Sequence, residues 1–186
     1  MVARLTFKAA LDAMKQGGNR LSDAAECLGA LLENTDFLGR QGNADILDRW
    51  RIPRSSRLLD GTQYTAALNA LLAHMRRAES PDLNVVRALG RVNDKRAIRP
   101  LVSSASSALV RKDAALWEQA FNSLENQAWA RSRSKLEDVL LATAMSARRS
   151  RDSKIRGRAI GYVRARAASS VMSAKVGKRW IQFKRR

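Results

Sequence analysis

The residues with the clearest chemistry are cations near the carboxyl end of the chain. Asp152 is the last acid, and Lys154, Arg156, Arg158, Arg164, Arg166, Lys175, Lys178, Arg179, Lys184, Arg185 and Arg186 follow it with no carboxylate to offset them. Just before it, Arg148, Arg149 and Arg151 surround Ser150. Arginine and lysine hold phosphate oxygens, and each phosphate neutralised releases counterions, so such contacts add up along a polyanion. In the last ten residues Trp180 and Phe183 interleave with Lys178, Arg179, Lys184, Arg185 and Arg186. Rings among cations suit stacking on bases or insertion between base steps. The same composition suits an anionic membrane surface or an acidic protein, and two rings can also fold back to cap the last helices.

The excess is local. Residues 1–60 carry 9 Lys or Arg and 8 Asp or Glu, residues 61–130 carry 9 and 6, and residues 131–186 carry 17 and 3. Of the net +18 over 186 residues, +14 therefore sits in the final third. Such asymmetry reads as a polyanion-binding end on a near-neutral body. A second cluster, Arg87, Arg91, Lys95, Arg96 and Arg99, flanks Asn93-Asp94 and extends a basic track begun by Arg76-Arg77, with Asp82 and Asp94 diluting it. Arg131-Ser132-Arg133-Ser134 repeats the Arg/Ser theme at a helix junction.

What must position these groups is helical. Apolar residues make up 45% of the chain, enough for a core, and no apolar run is long enough to span a membrane. With Gly 10 and Pro 3 there are too few turn residues for a sandwich or barrel. Helical spacing of apolar residues predicts a helix over 5–14 stopped by Gly17-Gly18, and one from about Ser22, whose hydroxyl can cap it with Glu26 assisting. Residues 34–60 read as an irregular connection with a short helix near Ala44–Trp50. Further helices are predicted over Thr62–Ala78, Leu83–Val92, Lys95–Val110, Ala114–Gln127 and Lys135–Ala147. Ser80 is the expected cap of the second of these, with Pro81 in its first turn, and Pro100 bends the third or sits in its first turn. A last helix opens at Asp152 or Ser153 and ends near Ala174, with Gly177 beyond it. The class is all-α.

A small–large–small frame recurs. Arg87-Ala88-Leu89-Gly90-Arg91-Val92, Gln119-Ala120-Phe121-Asn122-Ser123-Leu124 and Arg158-Ala159-Ile160-Gly161-Tyr162-Val163 superpose, and Cys27-Leu28-Gly29-Ala30-Leu31 fits the same frame. The stretch 86–101, with Ala-Leu-Gly ending one helix, an Asp turn, and Ala-Ile-Arg-Pro-Leu opening the next, resembles the HEAT-like repeat, more loosely so over 62–165. The resemblance implies a solenoid of three to four antiparallel helix pairs with a concave binding face. Residues 1–176 are then one helical repeat domain and 177–186 a basic-aromatic tail.

Catalytic constellations are missing from the sequence. Cys27 and His74 are the only residues of their types, and there is no phosphate-cradling glycine loop, paired-carboxylate motif or metal-ligand spacing. His74 reads as a packed or surface residue, Cys27 as part of the core, and Trp50, Trp117 and Trp129 as packing anchors. The HEAT-like alkylpurine DNA glycosylases, which the repeat brings to mind, place tryptophans and an acid on a basic concave face. Asp113 with Trp117 and Glu125 with Trp129 have the spacing to do the same. The expectation is nonetheless a non-enzymatic protein without metal or cofactor that binds nucleic acid, DNA ahead of RNA, with low sequence specificity. Its proposed contacts are Arg148, Arg149, Arg151, Lys154, Arg158, Arg164, Lys175 and the tail cations and rings. The alternative is an assembly subunit docking on an acidic protein or ribonucleoprotein. The amino terminus does not read as a secretory signal, so the expected location is the cytoplasm, or the nucleoid in a bacterium.

Overall fold

The computed structural model describes residues 7–41, 59–78, 80–92, 94–131 and 134–184, with side chains over 7–35, 59–78, 80–92, 94–127 and 136–168. The described residues form eight α-helices and no strand, so the protein is all-α. They are α1 (Phe7–Gln16), α2 (Leu21–Gln41), α3 (Gly61–Arg77), α4 (Leu83–Arg91), α5 (Ile98–Arg111), α6 (Ala114–Arg131), α7 (Ser134–Ala147) and α8 (Ser153–Lys184), with a 3₁₀ turn at Lys95–Ala97 leading into α5.

Local chemistry sets the boundaries. Gly17 and Gly18 take φ of +71° and +82°, the left-handed region in which an L side chain is strained, and the Gly17 N–H closes on Ala13 O at 2.9 Å to end α1. At α3 the Asp60 carboxylate accepts from Gln63 N at 2.8 Å while Gln63 Oε1 accepts from Asp60 N at 3.1 Å, a reciprocal capping box that starts the helix one residue earlier than apolar spacing implies. Asp82, Asp113 and Asp152 cap α4, α6 and α8 by accepting from Asn84 N, Leu116 N, and both Lys154 N and Ile155 N. A carboxylate at the positive helix end outcompetes the neighbouring serines. Ser80 therefore does not cap α4, and Pro81 lies before the cap rather than in the first turn. Pro100 does fall in the first turn of α5, where no N–H is needed.

Three further expectations shift. Ser22 lies inside α2 and donates instead to Asp82 Oδ2 at 2.7 Å. The irregular stretch expected from residue 34 begins later, because α2 runs to Gln41; Thr35 Oγ1 bonds back to Leu31 O at 2.7 Å and accepts from Leu59 N at 3.1 Å, pinning the returning chain. Ala44–Trp50 lies outside the described residues. The backbone of α8 continues past Ala174 and Gly177 to Lys184, since one glycine costs a helix only about 1 kcal/mol and no proline follows.

Packing joins each helix to its sequence neighbour and to the helix two further on. The helices α1, α3, α5 and α7 touch in succession, as do α2, α4, α6 and α8. Among the described residues one core is continuous from Ala10, Leu28 and Leu32 through Leu68, Leu71, Val86, Leu89 and Leu101 to Trp117, Phe121, Leu124, Leu140 and Ile155.

The small-residue frame has a direct physical meaning here. A Cβ on Gly29 would sit 2.7 Å from Ala88 Cβ and 2.9 Å from its Cα, and a Cβ on Gly90 would sit 2.8 Å from Ser123 Cα. The backbones of α2, α4 and α6 approach that closely, and the short α4 is buried on Val85, Val86, Ala88, Leu89 and Gly90. Polar groups seal the joint: Ser123 Oγ donates to Val86 O at 3.0 Å, and Gln127 Nε2 donates to Leu89 O at 2.9 Å and to Val92 O. Two carbonyls at the carboxyl end of α4 are thereby satisfied from a neighbouring helix. The frame does not extend to α8, where Gly161 is exposed and has open space at its Cβ position.

These contrasts give opposite signs to one substitution. Gly90→Ala drives a methyl into the α6 backbone and is expected to cost about 1–3 kcal/mol. Gly161→Ala, in open space within a helix, is expected to gain about 0.5–1 kcal/mol. Urea denaturation of both variants reads the two effects, and equal shifts would refute the close approach.

Candidate functional site

Where α3 ends and α5 begins, the fold opens a groove of about 660 Å³. Its α3 side is Met75, Arg76, Ala78 and Pro81; its other side is Lys95, Arg96, Arg99 and Pro100, continuing down α5 through Ser103, Ser104, Ser107 and Arg111. Five cations and three serines line the space, and among the described residues no carboxylate does. Asp94, just outside, caps the 3₁₀ turn and grips Arg96 with two bonds, Nη2 to Oδ2 at 2.8 Å and Nε to Oδ1 at 3.1 Å. That bond holds the Arg96 guanidinium above its ordinary pKa, so its charge is permanent. Arg76, Lys95 and Arg99 are exposed and have no ion pair among the described residues.

Along α5 the groove residues Arg99, Ser103, Ser107 and Arg111 recur every four positions. With a rise of 1.5 Å per residue they form a stripe about 18 Å long. Helical spacing alone makes this stripe visible in the sequence, yet Ser103, Ser104, Ser107 and Arg111 do not stand out there because no charge run marks them. The expected cluster around Asn93-Asp94 divides. Lys95, Arg96 and Arg99 join the groove, together with Arg76. On α4, Arg87 bonds Asn84 Oδ1 at 3.2 Å and Arg91 reaches Glu33 of α2 at 3.7 Å, so neither is among the lining residues.

A second group of cations lies at the α7–α8 turn. Arg148, Arg149, Arg151 and Lys154 are exposed there, and Arg164 is exposed about three turns further along α8. Others are engaged by groups of the chain itself. Arg158 pairs with Glu125 Oε2 at 2.5 Å, bonds Asn122 Oδ1 at 3.2 Å and lies 5.8 Å over the Phe121 ring. Arg166 pairs with Glu137, and Arg156 donates to Ser150 O at 2.9 Å. Despite the Arg158 contact, burial still raises the Glu125 pKa, so loss of water outweighs the pairing at that carboxylate. The side chains of Lys175, Lys178, Arg179, Trp180, Phe183 and Lys184, and all of Arg185 and Arg186, lie outside the described residues.

The acid–indole pairs take structural positions. Asp113 Oδ1 accepts from Leu116 N at 3.0 Å, while Trp117 is fully buried and stacked on Phe121 at 4.9 Å, with Tyr162 edge-on to Phe121 at 5.1 Å. Glu125 faces Arg158, and the Trp129 side chain lies outside the described residues. Among the described residues no cluster of His, Cys, Asp and Glu could hold a metal, and no helix is long and apolar enough to cross a membrane. Cys27 is half-buried, and desolvation raises its thiol pKa.

His74, at the end of α3, accepts a 3.4 Å hydrogen bond at Nε2 from Asp82 N, and Ser22 Oγ donates to the Asp82 carboxylate. The serine meets the carboxylate and not the imidazole, so the trio staples α2, α3 and α4 together beside Pro81 of the groove. Burial lowers the His74 pKa from 6.5, with Asp82 opposing it more weakly. A base whose folded pKa is depressed binds fewer protons folded than unfolded. Its stabilisation is full above 6.5 and falls as pH drops toward the folded value. Thermal melts at pH 8, 7, 6 and 5 are expected to show a decline beginning below about 6.5, and His74→Gln, which keeps an acceptor without a titrating proton, is expected to flatten it. A decline unchanged in that variant would assign the effect elsewhere.

In comparisons with protein families, with curated proteins and with solved structures, nothing matches this chain.

Proposed function

We propose that the chain is a HEAT-like helical-repeat protein that binds nucleic acid, duplex DNA ahead of RNA, through the phosphate backbone and with little sequence preference. The observation that carries this reading is the groove whose described lining holds five cations and three serines and no carboxylate. The repeat reading is supported by the packing of first helices on first and second on second, which stacked helix pairs produce. It is supported too by the shared use of small residues at Gly29, Ala88, Gly90 and Ser123.

Low sequence specificity follows from the chemistry of the lining. Among the described residues the groove is lined by no aromatic ring on which a base could stack and no Asn or Gln to read a base edge. Arginine, lysine and serine bond phosphates, and such contacts position a strand without reading it. The exposed cations at the α7–α8 turn add a further phosphate-binding surface on the same chain.

Fluorescence anisotropy against duplex DNA, single-stranded DNA and RNA tests the reading. With about six phosphate contacts, affinity is expected to fall on the order of 10³-fold between about 50 and 200 mM salt. Arg99→Ala is expected to reduce the log–log salt slope by about one. Arg158→Ala, which removes a cation already engaged by Glu125, is expected to leave the slope unchanged. Absence of binding to all three nucleic acids at about 50 mM salt would overturn the proposal, and a stoichiometric partner retained after nuclease treatment would replace it with an acidic protein ligand.

A further inference from the structure

The serines of the groove differ from several other helical hydroxyls among the described residues. Thr35, Thr65, Ser106 and Thr143 each bond back to the carbonyl four residues earlier, at 2.7–3.0 Å. Ser103, Ser104 and Ser107 make no hydrogen bond among the described residues, although they sit on the same helix as Ser106. Ser104 is the telling member. It is only 6% exposed and lines the groove, and its hydroxyl is not one of the sealed, partnerless polar atoms of the interior, which are Trp117 Nε1 and Gln127 Oε1. A hydroxyl that forgoes the local carbonyl, on a nearly buried residue lining a cavity, is a donor held ready for a ligand.

The three positions, i, i+1 and i+4, form a triangle on one helix face, beside Arg99 one turn before and with Arg76 and Lys95 also lining the space. Three hydroxyl donors ringed by cations match the three non-bridging oxygens and double charge of a phosphate monoester. An internal phosphodiester offers two such oxygens and one charge. We propose that the groove seats the terminal phosphate of a nucleic-acid strand, with Ser103, Ser104 and Ser107 donating to its oxygens and Arg99, Arg76 and Lys95 balancing its charge. This rests on the nucleic-acid reading above and adds a preference for phosphorylated ends.

The experiment compares one single-stranded oligonucleotide carrying a 5′-phosphate with the same oligonucleotide ending in 5′-hydroxyl, by anisotropy at about 150 mM salt. The phosphorylated strand is expected to bind about tenfold tighter, the scale of one hydrogen bond to a charged group. Ser104→Ala, and separately the exposed pair Ser103→Ala with Ser107→Ala, are expected to abolish that advantage, weakening the phosphorylated strand about tenfold and the hydroxyl-ended strand far less, with circular dichroism verifying the fold. Equal affinity for the two strands, or an advantage that survives both variants, overturns the seat while leaving general nucleic-acid binding intact. If neither strand binds, the nucleic-acid reading has failed, and with it the terminal-phosphate proposal. A phosphoserine peptide binding more tightly than the phosphorylated strand would overturn the proposal in favour of a protein ligand.

Discussion

The structure depends on how closely the α2, α4 and α6 backbones approach one another. Glycine at 29 and 90, opposite Ala88 and Ser123, removes the side chains that would hold these helices apart. A nine-residue helix cannot stabilise itself in water, so α4 exists because five of its residues are buried between two longer neighbours. Its exposed carbonyls would be costly inside that joint, and Ser123 and Gln127 satisfy them from α6. The rest is positioned from here: α6 carries α5 against it, and the start of α4 holds the end of α3 through Asp82, His74 and Ser22. The groove is the space left between the α3 end and α5, so its width is set by a joint made elsewhere.

Charge is distributed by the same packing. The acids lie mostly in the first two thirds of the sequence, and the fold brings several of them to cations that seemed unopposed. Glu125 reaches Arg158, Glu137 reaches Arg166, Glu33 reaches Arg91 and Asp94 reaches Arg96. These pairs are partly exposed and contribute little to stability. Their consequence is selective neutralisation. Arg76, Lys95 and Arg99 remain around the groove, and Arg148, Arg149, Arg151, Lys154 and Arg164 remain exposed beyond it. A cation held by its own carboxylate has to exchange one anion for another when a ligand arrives, whereas an unopposed one has only water and counterions to release.

Much of this was legible beforehand and some was not, for reasons traceable to residues. Apolar spacing located the helices because burial of one face is a local, periodic demand. Gly17-Gly18 marked a stop because φ near +70° excludes other residues. The Ala88–Gly90 and Ala120–Ser123 frames announced a close approach, although Gly161, in the same frame, meets nothing. Caps were harder: Asp82 displaced Ser80, and Asp60 with Gln63 formed a box that spacing did not reveal, because several oxygens compete for the same N–H groups. Of the second basic cluster, Lys95, Arg96 and Arg99 converge, whereas Arg87 and Arg91, one turn apart on α4, turn to other partners.

By itself the sequence determined the all-α class, the placement of most helices and the excess of positive charge toward its end, since each follows from composition or from spacing within a dozen residues. Only the tertiary structure decided which cations stay unopposed and which hydroxyls face a cavity. Arg158 and Glu125 are 33 residues apart, Arg166 and Glu137 29 apart, and Arg76 lines one groove with Arg99 and Ser104, which lie beyond the whole of α4 in the sequence. Coulomb attraction and hydrogen bonding act over a few ångströms of space whatever the distance along the chain. Their outcome is therefore settled only once packing has brought distant segments together.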